Sequence, residues 1–176
     1  MTIKDWDEYF MGLTYYTASR SKDKSTTVGC IIVGPDNEIR TTGYNGFVRG
    51  FDDEPHHHER PLKYDLTEHS ERNAIYNAAR VGIPLKGCRI YIAWLPCTDC
   101  TRAIIQSGIT EVILHKEHPT PNGDWASKQA ISMEMFNKCG IKVREWSGVI
   151  RPVMGLISGR IFNPATGKFL DEETES

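Results

Sequence analysis

The chain contains no run of about 18 apolar residues, so the sequence predicts no membrane-spanning helix. It also has no excess of charge of either sign: 21 lysines and arginines stand against 23 aspartates and glutamates, a net charge of −2. A protein that grips nucleic acid along its surface needs lysine and arginine to neutralise phosphates, so nucleic acid is excluded as a general partner, while a local basic pocket is not. The first ten residues, MTIKDWDEYF, lack the basic-then-apolar order of an export signal, and the expectation is a cytoplasmic protein. Only five cysteines occur in 176 residues. In a reducing compartment, cysteines paired along the sequence more often hold metal than form disulfides. Internal repeats are lacking as well. What is present, 39% hydrophobic residues and 25% charged, suits one soluble globular domain.

Trp6, Tyr9, Phe10, Leu13 and Tyr16 recur at three- and four-residue spacing, which predicts an amphipathic helix. Val28 to Val33 (VGCIIV) reads as a buried strand, and EIRTTGY returns across a Pro35-Asp36-Asn37 turn to make a hairpin. Residues 45–66 carry Gly46, Gly50, Pro55, three consecutive histidines and Pro61, and are expected to form a long polar loop. The second half alternates. A helix from Glu68 to Arg80 is followed by a strand from Cys88 to Trp94, a helix from Cys97 to Ser107, the strand EVILH, a helix from Asp124 to Cys139 and the strand IKVREW. That order implies a layered α/β domain with parallel strand pairs. The sequence divides into a domain over residues 1–164 and an acidic tail over 165–176, ending in DEETES and expected to be a solvated end. Cys30 and Cys139 lie on apolar segments and read as core residues.

Chemistry concentrates in two short motifs, His69-Ser70-Glu71 and Pro96-Cys97-Thr98-Asp99-Cys100, each at the predicted start of a helix. Two cysteines three apart on a first helical turn point to the same side, so both thiolates can reach one ion. One imidazole and two thiolates leave a tetrahedral ion one ligand short, as in a catalytic zinc site. Glu71, two residues past the histidine, is placed to move protons without ligating. The order H-x-E followed by P-C-x-x-C is the signature of zinc-dependent nucleobase deaminases. A structural zinc that recruits Cys88, Cys139 or a loop histidine as its fourth ligand is the main alternative, and redox use of the cysteine pair is another.

TVGCIIV, TTGYNGFVRG, EHSERNAIYNAAR and YIAWLPCTDCTRAIIQSGITEVIL, taken in order over residues 5–115, resemble the deoxycytidylate (dCMP) deaminase branch of the cytidine deaminase superfamily. The NAIYNAAR helix is similar to bacterial or phage members, which would place the protein in a host cytoplasm if phage-encoded. The resemblance implies a three-layer α/β/α cytidine deaminase-like fold with a mixed five-stranded sheet. It implies one Zn2+ held by His69, Cys97 and Cys100, with Glu71 shuttling protons as water attacks C4 of cytosine, giving dUMP for thymidylate synthesis. It further implies that Val28 packs on the base, Asn45 binds the sugar hydroxyl, the Ser70 amide holds the base carbonyl and the Leu95 carbonyl lies near the leaving amine. A homohexamer is implied too, activated by dCTP and inhibited by dTTP at a subunit-interface site. Gly43, Tyr44, Asn45, Gly46 and Arg80 would contribute to that site, with Mg2+ accompanying a bound triphosphate.

Plain alternatives stand beside these roles. Val28 also fits a strand core, Asn45 a turn and Arg80 a charge at a helix end. Val48 stands where many relatives have proline, and HKEHPTPNGDW (residues 115–125) departs from the pattern that would place the substrate phosphate. Lys24 and Lys116 are candidate anchors or plain surface lysines. His56, His57 and His58 read as solvated histidines or as ligands of a second metal. Free cytidine, dCTP and adenosine in transfer RNA keep the chemistry and change the substrate, although transfer RNA needs a basic surface. An inactive nucleotide-binding regulator is the reading from another class.

Overall fold

All five residues of β1 (Gly29–Val33) are buried, because this strand lies inside a sheet covered on both faces. The computed structural model describes residues 3–119, 125–157 and 160–173. In chain order come α1 (Trp6–Ala18), β1, β2 (Ile39–Tyr44), β3 (Gly46–Phe47), a 3-10 turn (Pro55–His58), α2 (Leu62–Leu66), β4 (Thr67–Glu68) and α3 (Ser70–Val81). The second half runs β5 (Arg89–Ile92), α4 (Thr98–Gln106), β6 (Glu111–His115), α5 (Trp125–Lys138) and β7 (Lys142–Trp146). The main sheet has the order β2-β1-β5-β6-β7. β1 is antiparallel to β2 and β5, whereas β5, β6 and β7 are parallel.

Alternation along the strands divides the core into two. Cys30, Ile32, Ile90, Ile92 and Val112 point to one face and pack with Ala74 and Ala78 of α3, Ile104 of α4 and Phe136 of α5. Ile31, Val33, Tyr91 and Ile113 point to the other face and meet Phe10 and Met11 of α1. These are three layers with a mixed five-stranded sheet between helices, the architecture that the resemblance implied. No helix among the described residues is long and apolar enough to cross a membrane.

Gly43 shows what holds β2 under α3. A Cβ built there would stand 2.1 Å from the Ser70 carbonyl oxygen and 2.5 Å from the Ala74 nitrogen. The residue is therefore a packing glycine between β2 and α3. Gly43→Ala should cost about 1–3 kcal/mol by overpacking. A thermal melt unchanged from the wild type would show that α3 lifts off β2 freely.

Four expectations are revised. Residues 45–66 are partly ordered into elements, since β3 pairs with β4 (Gly46 with Glu68, Phe47 with Thr67) and Leu62–Leu66 is helical. Two of their three histidines are not simply solvated: the His58 and His57 rings lie 4.8 Å from those of Phe47 and Phe51 respectively, while His56 is exposed. Cys139 is exposed, because α5 ends at Lys138 after Phe136 has filled the core, and the chain turns at Gly140. The boundary at 164/165 falls inside an antiparallel sheet of β8 (Gly155–Ile157), β9 (Arg160–Asn163) and β10 (Lys168–Phe169), followed by α6 (Leu170–Glu173). Phe162 and Phe169 pack edge to face across it, 5.6 Å between centroids, so the expected tail opens with a turn and the short strand β10. Asp124, the expected start of the helix that is α5, lies outside the described residues.

Candidate active site

Two loop-to-helix junctions converge. His69 precedes α3 and Cys97 precedes α4, both in extended backbone as N-caps. β4 takes up Thr67 and Glu68, so α3 starts at Ser70 and not at Glu68. The His69 Nδ1 atom lies 3.4 Å from Cys97 Sγ and 3.6 Å from Cys100 Sγ. Donor atoms of the three residues all fall within 4.8 Å of one another. Among the described residues this is the one cluster of three or more His, Cys, Asp or Glu donors so arranged, and Cys88, Cys139 and the three loop histidines are not part of it.

Charge is balanced locally. Hydrogen bonding with Cys100, and with His69, holds the Cys97 thiol down to about 4 against the opposing effect of burial. Its neighbour Cys97, together with burial, pushes Cys100 up. A divalent cation bound between the two sulfurs would favour the thiolate form of both. The contact with Cys97 raises the His69 pKa. Arg72 adds a donor that sequence reasoning missed: its guanidinium lies 3.7 Å from Cys100 Sγ and is anchored by Glu68 at 2.6 Å. The only available signal was its place one turn into the helix after His69.

Glu71 is 4% exposed, and the Ser70 hydroxyl donates to its Oε2 at 3.0 Å. Burial pushes its carboxyl pKa up. It lines a cavity of about 750 Å3 together with Val28, Asn45, Ser70, His69 and Cys97. Buried Asn45 accepts from the Val28 N–H through Oδ1 at 2.8 Å and donates through Nδ2 to the Thr26 carbonyl at 2.9 Å. Leu95 is not part of this wall; its side chain packs in the core cluster with Ile104. Lys24 and Lys116 are exposed and line neither cavity. The cations on the wall are Arg60, Lys63 and Lys128, none of which stands in a recognisable sequence pattern.

A second cavity of about 420 Å3 opens beside the first. Arg20, Lys22, Arg49, Lys63 and Arg80 give it five cations. Tyr44, Gly46 and Arg80 line it, whereas Asn45 lines the larger cavity, its amide bonded to the 26–28 backbone.

One imidazole and two thiols, with a fourth position left open, make a donor set that fits Zn2+ at a catalytic centre. The family model for the cytidine and deoxycytidylate deaminase zinc-binding region matches residues 4–116. A protein described as an uncharacterized deaminase in the luxG 3' region of Aliivibrio fischeri is 36% identical over 141 residues, covering 80% of this chain and 93% of that protein. Human deoxycytidylate deaminase is 34% identical over 148 residues, covering 81% of this chain and 80% of that one. The fold is also that of the dCMP deaminase from the cyanophage S-TIM5, solved in complex with dCMP and dUMP: TM-score 0.65, 21% identity, 83% of this chain and all of that one covered.

Proposed function

The chain belongs to the cytidine and deoxycytidylate deaminase family, and on that premise we propose that it replaces the C4 amine of dCMP by an oxygen from water, releasing dUMP and ammonia. The observation that carries this reading is the buried Glu71 carboxylate in one cavity with the His69, Cys97 and Cys100 donor set. Zinc held by those three residues would supply the polarisation that makes water nucleophilic near neutral pH. Glu71 takes one proton of the attacking water and passes it to N3 of the pyrimidine. It then carries the proton of the new C4 hydroxyl to the amine, so that C4=O forms as the C4–N bond breaks and ammonia leaves. Asp23 and Asp99 are the other carboxylates on the same cavity, but Asp23 is engaged by Lys63 at 2.8 Å and Asp99 by Arg102, which leaves the part to Glu71.

Ser70 orients the Glu71 carboxylate through its hydroxyl. As the first residue of α3 it also has a backbone N–H that its own helix leaves unpaired, suited to the base carbonyl. Val28 covers the base and Asn45 meets the sugar hydroxyl, using the hydrogen-bonding positions its amide retains. The Leu95 carbonyl is assigned to the leaving amine. Arg60 and Lys128 favour a 5'-phosphate, hence a nucleotide over free cytidine.

The second cavity is assigned to a regulatory nucleotide, dCTP activating and dTTP inhibiting, with Mg2+ accompanying the triphosphate. Its five cations outnumber the two carboxylates on the same wall, Asp23 and Asp53, and support an anionic ligand, with Tyr44, Gly46 and Arg80 also lining it. Exposed Tyr44, Tyr76 and Val81 beside it supply apolar surface for the subunit contacts of a homohexamer. A cytoplasmic enzyme is assigned, in the host cytoplasm if phage-encoded.

Ammonia release from dCMP and from cytidine, each with dCTP or dTTP added alongside Mg2+, tests the reading. Turnover of dCMP should exceed that of cytidine, rise with dCTP and fall with dTTP. Preference for cytidine would overturn the substrate assignment, and indifference to both triphosphates would overturn the regulatory one.

A further inference from the structure

Lys63, Asp23 and Thr67 line both cavities, and the first two are the charged part of that shared wall. The Lys63 ammonium lies 2.9 Å from Asp23 Oδ1, 2.8 Å from Oδ2 and 2.7 Å from the Ser25 hydroxyl, and both side chains are about nine-tenths buried. A lysine is buried only when its charge is met, and here a single carboxylate meets it. That carboxylate does more than pair. Oδ1 also accepts the backbone N–H groups of Ser25 at 2.8 Å and Thr26 at 3.1 Å, so Asp23 folds residues 23–26 around itself. The Thr26 carbonyl in turn accepts from Asn45, whose other amide end holds the Val28 N–H. An unbroken set of hydrogen bonds therefore runs from an ammonium facing the five-cation cavity to the two residues assigned to the base and the sugar.

We infer that the Lys63–Asp23 pair is the device that couples the two cavities, with Lys63 acting as a positioning residue for the substrate side. The inference rests on reading the smaller cavity as an effector site. An anion bound there bridges to Asp23 through the Lys63 ammonium and holds the pair in place. That fixes Asp23 on residues 23–26, and through Thr26 it fixes how Asn45 and Val28 are presented. A ligand shifts an equilibrium only as far as it distinguishes its states. A triphosphate that draws on Lys63 and a neutral ligand of the same shape should therefore differ in effect. The coupling is reciprocal: substrate-side occupancy must alter effector affinity by the same factor.

The test measures dUMP binding to the zinc-loaded protein by calorimetry, with and without saturating dCTP, for the wild type, Lys63→Met and Lys63→Arg. Zinc content and melting temperature report whether each variant is folded. In the wild type, dCTP should tighten dUMP binding by about fivefold or more, the lower end of allosteric couplings. In Lys63→Met the dUMP Kd without effector should rise by about tenfold, the scale of losing one charged hydrogen bond. Its response to dCTP should vanish even where dCTP still binds. Lys63→Arg should recover part of both. If Lys63→Met binds dCTP and keeps the wild-type response, the inference is overturned. If dCTP binds the wild type only in competition with dUMP, the effector reading fails and the coupling with it. The positioning role then stands or falls on whether Lys63→Met weakens dUMP alone.

Discussion

Replacing Glu71 with glutamine is expected to lower kcat for dCMP by about 10²- to 10⁴-fold while leaving zinc content and the melting temperature close to those of the wild type. The amide is nearly isosteric with the carboxylate and can still accept from the Ser70 hydroxyl, which donates at 3.0 Å in the native protein. What it cannot do is carry a proton from water to the pyrimidine ring. The environment of Glu71 makes the loss specific to chemistry. The side chain is 4% exposed, so solvent cannot stand in for it as a proton carrier. Asp23 on the same cavity is held by Lys63. Because burying a charged carboxylate is itself costly, its replacement by a neutral group should not unfold the site. Steady-state kinetics on metal-analysed protein makes the comparison, and the expected pattern is a fall in kcat with little change in KM. Turnover within a few-fold of the wild type in a fully zinc-loaded variant would remove Glu71 from the proton path.

Much of the site is legible in the sequence because its parts are local. His69 and Glu71 lie two apart across a helix start, and Cys97 and Cys100 occupy one helical turn, so helix geometry alone sets where their side chains point. The central strands are legible for a related reason. A continuous apolar run such as that of β1 has no other stable place than a sheet covered on both faces. Gly82 ends α3 with φ +74°, the left-handed conformation that favours glycine at a helix C-terminus. The parallel pairing of β5, β6 and β7 follows from the helices between them.

What stays hidden is set by distance along the chain or by shortness. Lys63 sits in a stretch dense with charge and reads as a surface lysine. It is buried because of Asp23, 40 residues earlier, and nothing local announces that partner. Arg72 reaches Cys100 28 residues on. The second cavity gathers cations from α1's C-terminal side, the β3 region, α2 and the end of α3, so no single window contains its pattern. β3, β4 and β10 are two residues each, too short for an alternation to show. Cys139 misleads for the opposite reason. Its neighbours look like a helix continuing into the core, but α5 stops one residue before it.

Cys97→Ala is expected to release the metal, abolish turnover and lower the melting temperature, and the three losses should share one cause. Cys97 and Cys100 stand at the start of α4, and His69 at the start of α3, so an ion bound by all three ties two helices to one point. Metal affinity is folding free energy where the unfolded chain has no preformed site. With zinc in about thousand-fold excess over its dissociation constant, binding stabilises the native state by about 4 kcal/mol. For a chain of this length that corresponds to about 10 °C in Tm. Removing one of three protein ligands should forfeit most of it. The decisive comparison is with wild-type protein stripped by a chelator. If the metal is the cause, stripped wild type and untreated Cys97→Ala should melt at similar temperatures, and added zinc should restore only the wild type. A variant that melts well below the stripped protein would instead point to packing lost with the half-buried thiol. Full zinc occupancy in Cys97→Ala would disprove the ligand set, since among the described residues no fourth donor belongs to the cluster.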